Sequence, residues 1–345
     1  FIKENYAIMS QHIGDLENEK AYNYFIATIK NFVKFYELNP RIIVSDLHPD
    51  YLSTRFAEEY AKENKIKLLK IQHHYAHFLS CMAENNFFEK AIGVIFDGTG
   101  LGEDGNIWGG EFLVGDFKNY KRVSHFKYRK LAGGDAANKE SFRMGISLLS
   151  EFLSFDEIKR IYNDKNVELI HSMLKNSINS PLTSSAGRIF DAVASLLDIC
   201  HISTYEAEAP MRLEAIAHNL KNKEKSEIYP YELKENNDIL EIDIIPAIKY
   251  LLEIKNKREK NLIAYEFHKT MADIILNTVN IISKKYKTKN VILSGGVFQN
   301  TILLTESLFM LKQNGYNVFI HKKLSPNDSS IALGQAVYAM KNLRR

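Results

Sequence analysis

The sequence predicts an α/β fold in two lobes. Three observations carry this. Apolar runs of strand length alternate with amphipathic helical stretches at both ends of the chain, a mostly helical stretch from about 139 to 286 separates them, and polar or glycine-rich residues collect where the apolar runs stop. Hydrophobic residues make up 45% of the 345 and charged residues 25%, an ordinary globular composition in a chain long enough for two cores. A net charge of +3 gives no reason to expect nucleic acid as a partner. Cys81 and Cys200 are too few for a disulfide framework or a cysteine-rich zinc cluster, which fits a reducing cytoplasm. No apolar run reaches transmembrane length, and no signal-peptide pattern opens the chain. The chain begins at Phe1 in what reads as strand interior, so a piece of something longer is expected.

In order along the chain, YAIMSQHIGDL reads as a strand and turn and EKAYNYFIATIKNFVKFYEL as an amphipathic helix. RIIVSDL is a buried strand with polar residues at its carboxyl end, YLSTRFAEEYAKEN a helix and IKLLKIQ a strand. QHHYAHFLSCMAEN continues as a helix, and AIGVIFDGTGLGEDGNIWGGEFLVGDF reads as two strands joined by a glycine-rich loop. The helical middle contains a Lys/Glu/Asn-rich segment near 220–240, read as a solvated insertion or loop. Alternation returns with NVILSGG as strand and loop, VFQNTILLTESLFMLKQNG as a helix ending at Gly315, NVFIHK as a strand and SSIALGQAVYAMKN as a helix. The C-terminus is expected to pack back on one of the lobes.

Candidate chemistry sits at the strand ends. On the helix opened by QHHYAH, His73 and His77 are four residues apart, share one face and can converge on one ion. Two ligands do not fill a coordination sphere, so a metal pair and an ordinary core or surface pair both remain open. His74 points about a quarter-turn away and reads as a core residue. In IFDGTGLGEDG, Asp97 ends an apolar strand and glycines follow closely. A phosphate-cradling hairpin with Asp97 aimed at a cation competes there with a plain β-hairpin. In LSGGVFQN, Gly295 and Gly296 permit close contact before a helix N-terminus and Asn300 can hydrogen-bond a ligand; a tight packing turn explains the same residues. Asp328, just before the last helix, reads as an N-cap, and Cys81 as a small core residue.

Taken together, SQHIGDLEN, DLHPDYLSTR, QHHYAH, DGTGLGEDGNIWGGE, SSAGRIFDAVASLL, YEAEAPMRLE, LSGGVFQN and PNDSSIALGQA resemble the C-terminal part of the HypF family, the carbamoyltransferases of nickel–iron hydrogenase maturation. The likeness runs in order along nearly the whole chain. It implies two ribonuclease-H-like lobes of the acetate-kinase, sugar-kinase, heat-shock-ATPase and actin superfamily around a nucleotide cleft. The first lobe would span 1–88, with a truncated N-terminal hairpin, and be completed by about 320–345; the second would span 89–319 with a helical insertion at about 139–286. The resemblance also implies that His73, His77, Asp97 and Asp328 ligate a divalent metal. Their donor set suits iron or zinc, with magnesium accompanying the nucleotide as an alternative. ATP, AMP or carbamoyl adenylate would lie against Gly98 and Thr99 in the phosphate hairpin, Asp191 and Glu206 at the ribose, and Gly295, Gly296 and Asn300 in the adenosine loop. Relatives often carry Gly where this chain has Ala207, which bears on Glu206 beside it.

The implied reaction is transfer of a carbamoyl group from carbamoyl adenylate to the C-terminal cysteine of HypE, with release of AMP. An upstream YrdC-like domain would make the adenylate from carbamoyl phosphate and ATP. The nucleophile then belongs to the partner, and no catalytic Ser or Cys is expected in this chain. A small-molecule O-carbamoyltransferase and a TsaD-like tRNA threonylcarbamoyl transferase would share fold and metal. A sugar or acyl kinase would lack the H-x-x-x-H pair, and a non-catalytic nucleotide-binding module is the alternative of another class.

Overall fold

The structure is a computed structural model that describes residues 1–4, 6–16, 18–162, 166–220 and 226–343. It is mixed α/β, as the alternation predicts. A short hairpin, β1 (Ile2–Lys3) and β2 (Tyr6–Ala7), precedes α1 (Glu19–Phe35), where the Asn18 side chain accepts from Ala21 N and caps the helix. β3 (Ile42–Asp46), α2 (Leu52–Asn64) and β4 (Lys67–Ile71) form a βαβ unit whose strands pair in parallel from Ile42–Lys67 to Asp46–Ile71. One residue later α3 (His73–Glu84) begins, with Gln72 Oε1 accepting from Tyr75 N as its cap.

β5 (Ala91–Leu101), β6 (Ile107–Gly115) and β7 (Tyr120–Phe126) follow as an antiparallel meander. The middle of the chain contributes β8 (Arg129–Lys130), α4 (Ala136–Lys139), α5 (Phe142–Leu149), α6 (Phe155–Ile161), α7 (Val167–Asn176), β9 (Leu182–Thr183), α8 (Ala186–Leu196) and α9 (Glu208–His218). The segment near 220–240 departs from expectation. Residues 221–225 lie outside the described residues, but β10 (Glu232–Asn236) and β11 (Ile239–Asp243) form a hairpin that continues the sheet beyond β7, so this stretch is not a loop. Its charge hid the alternation of ILEID, which buries Leu240 and Ile242. β10 carries Glu232, Lys234 and Glu235 on the sheet's outer edge, where charge discourages further pairing. α10 (Ile245–Ile254) and α11 (Lys260–Tyr286) lead to β12 (Asn290–Ser294), α12 (Thr301–Gln313), β13 (Asn317–Phe319) and α13 (Ile331–Leu343).

The described strands of the large sheet run β10-β11-β7-β6-β5-β12-β13, with β9 pairing to β6 and β8 to β9. β12 lies parallel to β5, and β13 parallel to β12. Side chains alternate across β5, as a period of two requires. Ile92, Val94 and Phe96 enter the larger core with α5, α8 and α11, while Ala91 and Ile95 join Phe78, Leu79 and Met82 of α3 in a smaller one on the opposite face. α13 crosses α3 so closely that a Cβ at Gly334 would lie 1.9 Å from Ala76 O, and Ser80 Oγ donates to Ser330 O at 2.8 Å. Among the described residues no helix is long and apolar enough to cross a membrane.

Candidate metal and nucleotide site

Carboxyl ends of neighbouring strands deliver the site, the usual place for ligands in open α/β sheets. Asp46 is the last residue of β3, His73 follows β4, Gly295 follows β12, and Asp328 opens the turn before α13. Asp97 lies inside β5, not at its end. The β5–β6 register breaks between Phe96 and Gly100, which releases Asp97, Gly98 and Thr99 from the ladder. Gly98 and Gly100 therefore belong to the strand, and the connecting turn begins only at Gly102.

His73, His77, Asp97 and Asp328 each offer a ligand atom, all within 4.8 Å of one another. His73 Nε2 is 3.1 Å from Asp97 Oδ2 and 3.5 Å from Asp328 Oδ1; His77 Nε2 is 3.4 and 3.2 Å from the same two atoms. His73, His77 and Asp97 are buried, whereas the Asp328 side chain is 70% exposed and forms the open rim. Both ring nitrogens of His77 are buried without an aligned hydrogen bond. Such groups are costly unless something else fills them. Two imidazoles and two carboxylates converging in this way could hold a divalent metal such as iron or zinc.

Electrostatics bind the cluster. Burial alone would lower His73, but hydrogen bonds with Asp328, Asp46 and Asp97 outweigh it and hold the imidazole well above its usual pKa. His77 is raised on the same balance by Asp328 and Asp97. Burial would raise Asp97, yet His73 and His77 hold it well below the carboxylate range, and Asp328 is lowered by the same pair. Asp97 Oδ1 also accepts from Gly296 N at 3.2 Å, which ties the β5 aspartate to the β12 loop.

Asp46 is a site residue that the sequence reading missed. Its buried carboxylate places Oδ2 2.9 Å from His73 Nδ1 and accepts from His48 N through Oδ1. It fixes the ring so that Nε2 faces the other three side chains. The only signal was the position of SD at the end of a buried strand. His74 behaves as a core residue. Gln72 Nε2 lies 3.0 Å from its Nδ1, and burial, reinforced by repulsion from His73, pushes its pKa down to about 3. Cys81 is fully buried, and burial pushes its thiol up, which leaves it a core residue.

The residues expected around a nucleotide are less gathered. Thr99 is exposed on the bulge beside half-buried Gly98. Gly295 has φ +98°, and a Cβ there would meet Phe96 O at 2.2 Å, so the β5–β12 approach requires glycine. Asn300 is buried and spent on structure: Oδ1 accepts from Leu303 N to cap α12, and Nδ2 lies 2.8 Å from His268 Nε2. Asp191 is buried, its Oδ2 2.9 Å from Arg188 Nη1; burial raises its pKa to about 6 against the guanidinium. Glu206 is exposed as a residue, but partial loss of water around its carboxyl and then the negative charges of Asp15, Asp328 and Asp97 push its pKa up. Ala207, at the N-cap of α9, has φ +56°, the left-handed conformation that favours glycine.

Two family models match the chain: "HypF Kae1-like domain" over residues 1–84 and "Carbamoyltransferase, Kae1-like Domain, second subdomain" over residues 93–335. The chain belongs to the HypF carbamoyltransferase family. It corresponds to the Kae1-like C-terminal portion of HypF proteins. Carbamoyltransferase HypF of Synechocystis sp. is 35% identical over 96% of this chain and 44% of that protein. A probable carbamoyltransferase HypF of Methanocaldococcus jannaschii is 34% identical over 99% and 45%. A HypF homolog of Cupriavidus necator is 32% identical over 85% of this chain and 76% of its own length. The chain thus spans less than half the length of the first two HypF relatives. Crystal structures agree: full-length HypF in a phosphate- and nucleotide-bound form superposes with TM-score 0.90 at 37% identity, covering 97% of this chain and 44% of that one. HypF of T. kodakarensis gives 0.88 at 31%, covering 97% and 45%.

Proposed function

We propose that this chain transfers a carbamoyl group from carbamoyl adenylate to the C-terminal cysteine thiolate of HypE, with the adenylate supplied by a YrdC-like domain. The observation that carries the reading is the convergence of His73, His77, Asp97 and Asp328 within 4.8 Å of one another, beside a bulge and a glycine loop in a HypF-family chain. Those four side chains would hold the iron or zinc, with Asp46 orienting His73. Bound there, the cation would supply Lewis-acid stabilisation of charge on the departing phosphate.

The chain's own groups do the rest. Gly98, Thr99 and Gly296 would leave room for phosphate near the metal group, and Glu206 and Gly295 would bound the nucleoside side, with Asn300 holding the start of α12 behind that loop. The partner thiolate attacks the carbamoyl carbon, the C–S bond forms, the C–O bond to phosphate breaks, and AMP leaves with the electron pair. No described cysteine competes as nucleophile, since Cys81 and Cys200 are buried. The lobes would be 1–88 with 320–345, and 89–319. This division draws support from α13 packing on α3 and from the β7-β6-β5-β12-β13 order, three antiparallel strands followed by two parallel to the first. The test is incubation with synthetic carbamoyl adenylate and a HypE-type C-terminal peptide, read by mass spectrometry. A carbamoylated cysteine is expected; an unmodified peptide with intact, metal-loaded protein would refute the reading.

A further inference from the structure

Arg188 stands on the first turn of α8, and its place beside the site is fixed. Ser185, the cap of α8, has Oγ 2.8 Å from Asp97 O and 2.7 Å from Gly98 O, and accepts from Arg188 N at 3.1 Å. Gly187 is packed so closely that a Cβ on it would lie 3.0 Å from Gly98 Cα. The guanidinium consequently runs alongside Gly98, where a Cβ would lie 3.4 Å from Arg188 Nη2. Only 12% of the Arg188 side chain is exposed.

Its donors are poorly used. Nε is buried with no hydrogen bond, and Nη1 reaches Ala137 O only at 3.4 Å. Asp191 Oδ2 is 2.9 Å from Nη1 but not aligned as a hydrogen-bond acceptor. The carboxylate therefore neutralises the guanidinium from the side without occupying its fork. An arginine with five fixed N–H groups, held mostly out of water and left this unsatisfied, is built for an acceptor that arrives from elsewhere. The surroundings say which kind. Asp97, Asp328 and Glu206 make this part of the cleft acidic, and an anion entering it needs a cation besides any metal.

We propose that Arg188 takes a phosphoryl oxygen of the bound nucleotide next to the metal group, and that Asp191 positions the guanidinium instead of contacting ribose. The nucleotide arm of this assignment rests on the carbamoyl-adenylate reading; the anion arm does not. Calorimetry with AMP, adenosine and orthophosphate on the metal-loaded chain tests it. Arg188→Ala should weaken AMP at least about tenfold, the scale of a lost charge-assisted hydrogen bond, and weaken orthophosphate too, with adenosine affinity and metal content unchanged. Arg188→Lys should recover only part, because a point charge lacks the fork. Asp191→Asn should weaken AMP less and leave adenosine unchanged.

Unchanged AMP binding in Arg188→Ala, or parallel loss of adenosine, overturns the assignment; loss of adenosine in Asp191→Asn restores the ribose role. If Arg188→Ala does not fold, Arg188→Gln, which keeps the side-chain stem and removes the charge and the fork, carries the same comparison. Should the parent chain bind orthophosphate but neither AMP nor adenosine, the carbamoyl-adenylate reading fails, and Arg188 is decided by whether Arg188→Ala loses the orthophosphate.

Discussion

The two halves of the cleft are built differently. On the metal side, four side chains already converge, three of them are buried, and opposite charges hold them in place. On the side proposed for the nucleotide, Asn300 is spent on a helix cap and His268, Asp191 pairs with Arg188, and Glu206 stands exposed. What that side offers is the bulge at Gly98 and Thr99 and the guanidinium of Arg188, since the N–H groups of Gly295 and Gly296 are already bonded to Pro326 O and Asp97 Oδ1. One half is therefore assembled from converging side chains, and the other provides space and one under-used cation. Substitutions should separate them: damage to the metal side should appear in ion binding, and damage to the other side in nucleotide affinity alone.

The largest effect is expected from replacing both His73 and His77 with Ala. That variant should lose bound metal completely while keeping its fold, as read by elemental analysis and circular dichroism; full occupancy would end the four-residue assignment. Next comes Asp46→Ala, which leaves every ligand in place but frees the His73 ring. Metal affinity should fall about 10–100-fold, measured by competition with a chelator. His77, which lacks such a partner, predicts that no neighbour of its own has a comparable effect.

The pH dependence of the metal-free chain gives a graded test. His73 and His77 are raised in the folded state, so their contribution is complete below an unfolded value near 6.5 and is lost as pH rises through the folded ones. Asp97, Asp46 and Asp328 are lowered, so theirs is present above about 3.9 and is lost as pH falls through the folded values. Thermal melts without metal should therefore show stability declining above about pH 6.5, and metal uptake should release protons. The smallest change is Ala207→Gly. Relief of the left-handed backbone is opposed by the extra freedom of glycine in the unfolded chain, leaving a gain of at most about 1 kcal/mol, readable in denaturant midpoints.

The same contrast explains what could be read from the sequence. The histidine pair was legible because a helix fixes which residues share a face, and Asp97 because an apolar run stops at it. Asp328 was visible only through family likeness, since the bland role of capping its turn falls to Asn327, whose Oδ1 accepts from Ser329 N. Asp46 was not legible as a partner. It is 27 residues from His73, and the contact depends on β3 and β4 lying side by side, which local pattern does not encode. Arg188 likewise reaches Gly98 only because Ser185 docks α8 on the β5 bulge. The hairpin at 232–243 was missed because solvent-facing charges on an edge resemble a loop.

Metal-edge anomalous diffraction from crystals grown with iron or zinc and AMP tests the central claim most directly. One peak enclosed by His73, His77, Asp97 and Asp328, with the AMP phosphate facing it between Gly98 and Gly296, is the predicted result. A metal bound elsewhere, or a phosphate turned away from those four residues, would contradict it.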